Sequence, residues 1–213
     1  MVTIYLTRHG ETEWNIENRL QGWKDSALTE KGINNARRLG SRLRETDIQK
    51  IYTSPSLRAV HTAEYIRSER EVPIVKEPNL KEINLGEWEG KTKAEIEPYF
   101  KKEFSDFWNA PESYDHRPHK GEGLNEFKQR VEEVLMRIVA ENTHGNILIV
   151  THAVAIKAIL SLTMGIPTEK MWDPPFIHGT SLTICEWNGE EFDVKLLGDI
   201  SHFDEAGDAI NTK

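Results

Sequence analysis

Only one of the 213 residues is a cysteine, Cys185. An intrachain disulfide and a cysteine-based metal cluster are therefore excluded, and a reducing, cytoplasmic location is expected. No apolar run approaches the ~20 residues that a membrane span needs. The N-terminus lacks the charged region and long apolar stretch of a secretory leader. No basic stripe offsets the net charge of −8. That argues against a nucleic-acid partner but leaves room for a small cationic pocket. Internal repeats, low-complexity tracts and the closely spaced His and carboxylate sets of metal hydrolases are also missing, so no metal or other cofactor is expected.

What is present is an alternation of strand-like and helix-like segments. Val2–Leu6 is short, β-branched and aromatic, and reads as a buried strand. A polar turn or short helix covers Glu13 to Asn18, and Gln21-Gly22-Trp23 reads as a loop. Thr29 is a plausible N-cap for a helix reaching about Arg44. Lys50–Thr53 is a second strand, and Ser54-Pro55 starts a helix with proline in its first turn. Val72–Val75 is a third strand, placed near an edge by Pro73.

From Asn79 the character changes. A loop with two glycines, Gly86 and Gly90, leads into a segment rich in charge and aromatics and interrupted by Pro98, Pro111 and Pro118. It reads as two short helices and a loop laid over the sheet. Leu124 to Val139 has the 3–4 spacing of an amphipathic helix. Asn146–Thr151 is the best strand in the chain, and the segment from Ala153 to Leu162 is a buried helix. A hairpin follows around Asn188-Gly189, with Cys185 an inert core thiol in its first strand. The tail from Ser201 is polar and reads as a candidate disordered segment. The expected fold is α/β: a three-layer αβα sandwich with a mostly parallel central sheet and a helical insert covering the site. One domain is expected over 1–213, with the insert or lid at about 83–123.

Two of the strands run straight into a histidine, His9 and His152. If those strands are adjacent and parallel, both rings meet in the crevice beyond the carboxyl ends, where α/β sheets bind ligands. Arg8 adds a fork of donors matched to a phosphoryl group. His9 offers a nitrogen that is nucleophilic near neutral pH, and Gly10 removes a Cβ from the turn.

These residues resemble a known family. Leu6-Thr7-Arg8-His9-Gly10-Glu11-Thr12 with Asn15 looks like the signature of the histidine phosphatase superfamily, which includes the cofactor-dependent phosphoglycerate mutases. The resemblance continues in order through Gln21-Gly22 with Leu28-Thr29, then Tyr52-Thr53-Ser54-Pro55 with Arg58-Ala59. It runs on through Leu80-Lys81-Glu82 with Trp88-Glu89-Gly90, and ends at Val150-Thr151-His152-Ala153. It implies that His9 attacks phosphorus while Arg8, Arg58 and His152 hold the phosphoryl oxygens. Asn15, Gln21 and the Gly22 and Ala153 amides are implied substrate contacts. Glu82 is the implied acid and base, with Glu87 as the competing carboxylate. Trp14 and Trp23 read as packing.

The departures from the mutases are informative. Ile83-Asn84-Leu85-Gly86 stands where mutases carry an Arg-His-Tyr-Gly run, and keeps only the glycine. Arg117, His119 and Lys120 are the remaining candidates for gripping a second anionic group. Gly121-Glu122-Gly123 resembles a Gly-Glu-Ser element with its serine replaced, and Ala153 replaces a frequent glycine. The resemblance therefore implies the broad-specificity phosphatase branch: a phosphomonoesterase acting on a small phosphorylated metabolite. A phosphoglycerate mutase and a non-catalytic phosphate binder on the same fold are the alternatives. A monomer and a homodimer are equally open.

Overall fold

The computed structural model describes residues 1–173 and 175–203. The tail expected to be disordered lies, from residue 204 onward, outside the described residues. Six strands form one sheet in the order β3-β2-β4-β1-β5-β6. They are β1 Val2–Arg8, β2 Ile48–Thr53, β3 Ile74–Lys76, β4 Gly145–Thr151, β5 Leu182–Trp187 and β6 Phe192–Asp199. The first four in spatial order are parallel, and β5 and β6 add an antiparallel edge. β1 and β4 are direct neighbours, with Arg8 opposite Thr151, so both histidines leave the sheet at the same level.

The period of two in the strands sorts side chains into two cores. Along β4, Ile147 and Ile149 join one core while Leu148 and Val150 join the other. Helices α2 (Glu30–Arg42) and α3 (Leu57–Arg67) cover one face through Ala36, Leu39, Ala59, Ala63 and Ile66. Helices α5 (Leu124–Glu141) and α6 (Ala153–Met164) cover the other through Phe127, Val131, Ala155 and Ile159. Helix α1 (Glu13–Ile16) is one turn, capped reciprocally by Thr12 and Asn15. The three-layer α/β reading is what the structure shows.

One local expectation changes. Pro55 does not sit in the first turn of a helix, because α3 starts at Leu57 with Ser56 as its N-cap. Ser54-Pro55 is instead the bend that follows β2, with the Ser54 amide bonded to the Val150 carbonyl at 3.0 Å. The two short helices expected in the insert lie end to end as α4 (Lys93–Asn109), divided by a break at Phe100, whose φ of −136° and ψ of 39° leave the helical region two residues after Pro98. Pro98 also lacks the N–H that would continue the helical ladder.

The insert's aromatics are mostly packed rather than presented. Trp88, Phe104 and Phe107 are buried in the same core as α5 and α6. His119 stacks on Trp88 with ring centroids 3.7 Å apart. Cys185 is buried, and burial pushes its thiol up to about 12, so it behaves as an apolar residue. No helix among the described residues is long and apolar enough to cross a membrane.

Candidate active site

The site is built at the carboxyl ends of β1 and β4. The His9 amide donates to the Thr151 carbonyl at 2.9 Å, locking the two strand ends together. The His9 and His152 rings then meet edge to face with centroids 5.3 Å apart. The turn after His9 needs a glycine for lack of space. A Cβ on Gly10 would lie 2.7 Å from the Gly32 carbonyl oxygen. The Gly10 amide is held by the Thr62 hydroxyl of α3 at 3.0 Å.

Hydrogen bonding fixes the tautomers of both rings. His9 Nδ1 lies 2.8 Å from the Gly10 carbonyl oxygen. A carbonyl only accepts, so Nδ1 carries the proton and Nε2 keeps its lone pair. His152 Nδ1 lies 3.1 Å from Arg58 Nη2, and a guanidinium only donates, so this nitrogen accepts. The proton therefore sits on His152 Nε2, which donates to Ser54 Oγ at 2.7 Å. Burial, reinforced by the Arg58 and Arg8 charges, holds His9 well below the ordinary histidine range. Burial and Arg58 do the same to His152.

Arg58 is buried and Arg8 half-buried beside these rings. Arg58 is tied by Nη1 to the Lys24 carbonyl at 2.7 Å and to Asp25 Oδ1 at 2.8 Å, and by Nη2 to the Gly22 carbonyl at 2.7 Å. Arg8 donates from Nη1 to the Ile177 carbonyl at 2.9 Å, and burial brings its guanidinium down to about 10. The Nε groups of both arginines are buried without a protein partner. Buried, unpartnered cationic donors beside a neutral imidazole are suited to an anion rather than to a metal.

Glu82 completes the group. Its Oε2 accepts from the Val154 amide at 2.9 Å, and its Oε1 accepts from the Ala155 and Ile83 amides at 3.1 and 3.0 Å. The carboxyl thus sits on the N-terminus of α6, one turn from His152. Burial raises its pKa, against the lowering effect of those amides and of Arg58 and Arg8. Ala153 begins α6, directly after His152 as the helix N-cap.

The structure places the other sequence candidates less uniformly. Asn15 is at the site edge of α1, with Oδ1 held by the Thr12 amide and hydroxyl. Gln21 is engaged at both ends, Nε2 with Thr12 Oγ1 at 2.6 Å and Oε1 with Ser26 Oγ at 3.1 Å, so it braces the loop here instead of reaching outward. Gly22 holds Arg58 through its carbonyl. Glu87 is exposed and paired with Lys120 at 2.7 Å, which removes it as the competing acid. The expected second anion grip is not assembled. Lys120 holds Glu87, Arg117 holds Asp115 at 2.8 Å, and buried His119 bonds the Tyr114 hydroxyl and the Leu85 carbonyl.

Four residues that support the site were not among its sequence candidates. Asp25 orients Arg58, and Ser54 accepts from His152 Nε2. Arg130 and Glu122 grip the Glu82 loop. Of these, Arg130 was findable: it borders the apolar stripe of α5 between Phe127 and Val131, where an arginine needs a specific partner. Among the described residues, no group of three or more His, Cys, Asp or Glu side chains is placed to hold a metal ion.

Comparison with known proteins agrees with this geometry. Residues 4–200 match the sequence family described as the histidine phosphatase superfamily (branch 1). A protein of Proteus mirabilis named "Probable phosphoglycerate mutase GpmB" is 33% identical over 212 residues, covering 95% of each chain. The adenosylcobalamin/alpha-ribazole phosphatase of Escherichia coli K12 is 32% identical over 170 residues, covering 79% of this chain and 82% of its own. The solved structure titled Bacillus stearothermophilus YhfR superposes with a TM-score of 0.92 at 46% identity, covering 95% of this chain and 99% of that one. With a match of that extent and relatives of that identity, the chain belongs to branch 1 of the histidine phosphatase superfamily.

Proposed function

We propose that this chain hydrolyses small phosphate monoesters through a phosphohistidine on His9, without a metal. The observation that carries the reading is the unprotonated Nε2 of His9, in a ring set among His152 and the charges of Arg8 and Arg58, which also act on Glu82. Phosphoryl transfer asks a protein for alignment and for charge stabilisation on the transferring oxygens. The two guanidinium groups meet that demand. Glu82 then protonates the leaving alkoxide and, in the second half-reaction, takes a proton from the water that attacks phosphohistidine. A protein that only binds phosphate has no use for both a nucleophile and an acid. In this reading residues 83–123 belong to the domain that carries the site, since Trp88, Phe104 and Phe107 share its core.

Named relatives include both a phosphatase and a probable mutase, so the distinction rests on this chain's own residues. Ile83 and Leu85 are buried apolar side chains, and Arg117, His119 and Lys120 are committed elsewhere. Nothing in that set supports a grip on a second anionic group of the substrate. Hydrolysis should accordingly exceed mutase activity by a wide margin. Incubation with 3-phosphoglycerate, with and without 2,3-bisphosphoglycerate, measures both. Efficient conversion to 2-phosphoglycerate would make the protein a mutase. A panel of phosphomonoesters assayed beside it tests the phosphatase reading directly, and inactivity on every ester would end it.

The same charge arrangement predicts insensitivity to chelators. Two arginines, two histidines and the single carboxyl of Glu82 surround the phosphoryl position, where a metal ion would meet two fixed cations. Exhaustive treatment with a strong chelator should leave turnover nearly unchanged. A large loss restored by one divalent ion would overturn the metal-independent mechanism.

A further inference from the structure

Arg130 engages all five donors of its guanidinium, on Glu122 and on the loop that carries Glu82. Its Nε donates to Glu122 Oε1 at 2.6 Å and its Nη2 to Glu122 Oε2 at 2.9 Å. Nη1 donates to the carbonyls of Asn79 and Lys81 at 2.8 and 2.9 Å, and Nη2 also to the carbonyl of Glu82 at 2.9 Å. Its plane also lies over the Phe127 ring, 4.8 Å from the centroid. Arg130 and Glu122 side chains are each 16% exposed. An exposed ion pair is worth little, but a pair this buried that also satisfies three carbonyls is expensive to break.

Glu122 extends the grip to the insert. Its amide donates to the Asn84 carbonyl at 2.8 Å, and its Oε2 accepts from the Asn84 amide at 3.0 Å. The two ends of the segment at 83–123 are thereby joined to each other and to Arg130. The peptide between Glu82 and Ile83 stands at the centre. Its carbonyl receives Arg130 and the Trp23 indole N–H, the latter at 3.1 Å, while its N–H turns to Glu82 Oε1. With the backbone held on one side and the carboxyl seated on α6, the Glu82 side chain has little freedom to move.

We propose that Arg130, braced by Glu122, is a positioning residue for the leaving-group acid, holding the Glu82 peptide so that its carboxyl is presented to the departing oxygen. The assignment rests on the phosphohistidine reading above. It also gives a role to Gly121-Glu122-Gly123, which the phosphoryl site itself does not use. The hydrogen bonds of Arg130 go to Glu122 and to the carbonyls of Asn79, Lys81 and Glu82, so its loss acts chiefly through the Glu82 loop. Proton delivery is the step affected: the carboxyl O–H breaks as the alkoxide O–H forms, and misplacement lengthens that transfer.

Lysine at this position keeps the charge but has three donors and no fork, so it cannot serve five acceptor contacts. Arg130→Lys should lower turnover of an alkyl phosphate on the order of 10²-fold, the cost of a catalytic group displaced by about 1 Å. The p-nitrophenolate burst, which needs little proton assistance, should stay nearly unchanged. Glu122→Gln keeps the side-chain size and the Asn84 contact, and should show the same pattern at smaller amplitude. Combined with Glu82→Gln, Arg130→Lys should add almost no further loss on the alkyl ester, because no transferable proton remains to be misplaced. Equal slowing of the alkyl reaction and the aryl burst, or additive losses in the double variant, would overturn the positioning role. Failure of the unmodified enzyme to give any burst would instead overturn the phosphohistidine reading on which it stands.

Discussion

Replacing His9 by alanine should lower phosphatase turnover by roughly 10⁴-fold or more and abolish the covalent intermediate. The reason lies in the tautomer. Nδ1–H donates to the Gly10 carbonyl, so Nε2 is the unprotonated nitrogen of a ring that burial, reinforced by the Arg58 and Arg8 charges, keeps neutral. An imidazole held below its usual range stays nucleophilic in mildly acidic solution, so the acid limb of kcat/KM should lie below the ordinary histidine value. Rapid quench with a labelled phosphomonoester should trap acid-labile, base-stable label on Nε2 of His9. His152 cannot substitute, because its Nε2–H is spent on Ser54 and its Nδ1 faces Arg58. Label that persists in His9→Ala would move the nucleophile elsewhere and with it the whole mechanism.

The placement of His9 was legible in the chain because the information that fixes it is local. A β-branched run followed at once by Arg8-His9-Gly10 fixes where the strand ends, and Val150-Thr151-His152 repeats the device. Adjacency of β1 and β4 was a condition in the sequence, and the strand order meets it. The buried helices were equally legible: α5 carries its apolar stripe in the expected register, and α6 is apolar nearly all round. What failed was set by tertiary partners. Arg117, His119 and Lys120 looked like a cationic group in sequence. In the fold each is satisfied by a neighbour at short range: Asp115, the Tyr114 hydroxyl or Glu87. Asp25 and Ser54 are ordinary loop residues until Arg58 and His152 are brought against them.

In the proposed mechanism Arg58 and Glu82 serve different parts of the same reaction, and that difference supplies the second large effect. An alkoxide is a poor leaving group and needs a proton as the P–O bond breaks, whereas nitrophenolate leaves almost unaided. Glu82→Gln keeps the size and a polar contact to the α6 amides but removes the transferable proton. It should lower turnover of an alkyl phosphate by roughly 10²–10⁴-fold, the range of general acid catalysis. The carboxyl is suited to the task because burial raises its pKa, and a bound phosphoryl anion beside it would raise it further by like-charge repulsion. Formation of phosphohistidine from p-nitrophenyl phosphate should fall far less. That step has to be read from the burst, since breakdown of phosphohistidine needs Glu82 as base and would hide the difference at steady state. Arg58→Ala should slow the alkyl reaction and the aryl burst alike, because its guanidinium acts on the phosphoryl group common to both. It also strips Asp25 and the Gly22 and Lys24 carbonyls of their buried partner, so thermal stability should drop in that variant. A Glu82→Gln burst that falls as far as the alkyl rate would show that this carboxyl does not protonate the leaving group. Exposed Glu87, tied to Lys120, offers no replacement, so the proton would then have to come from solvent or from the substrate's own phosphoryl hydroxyl.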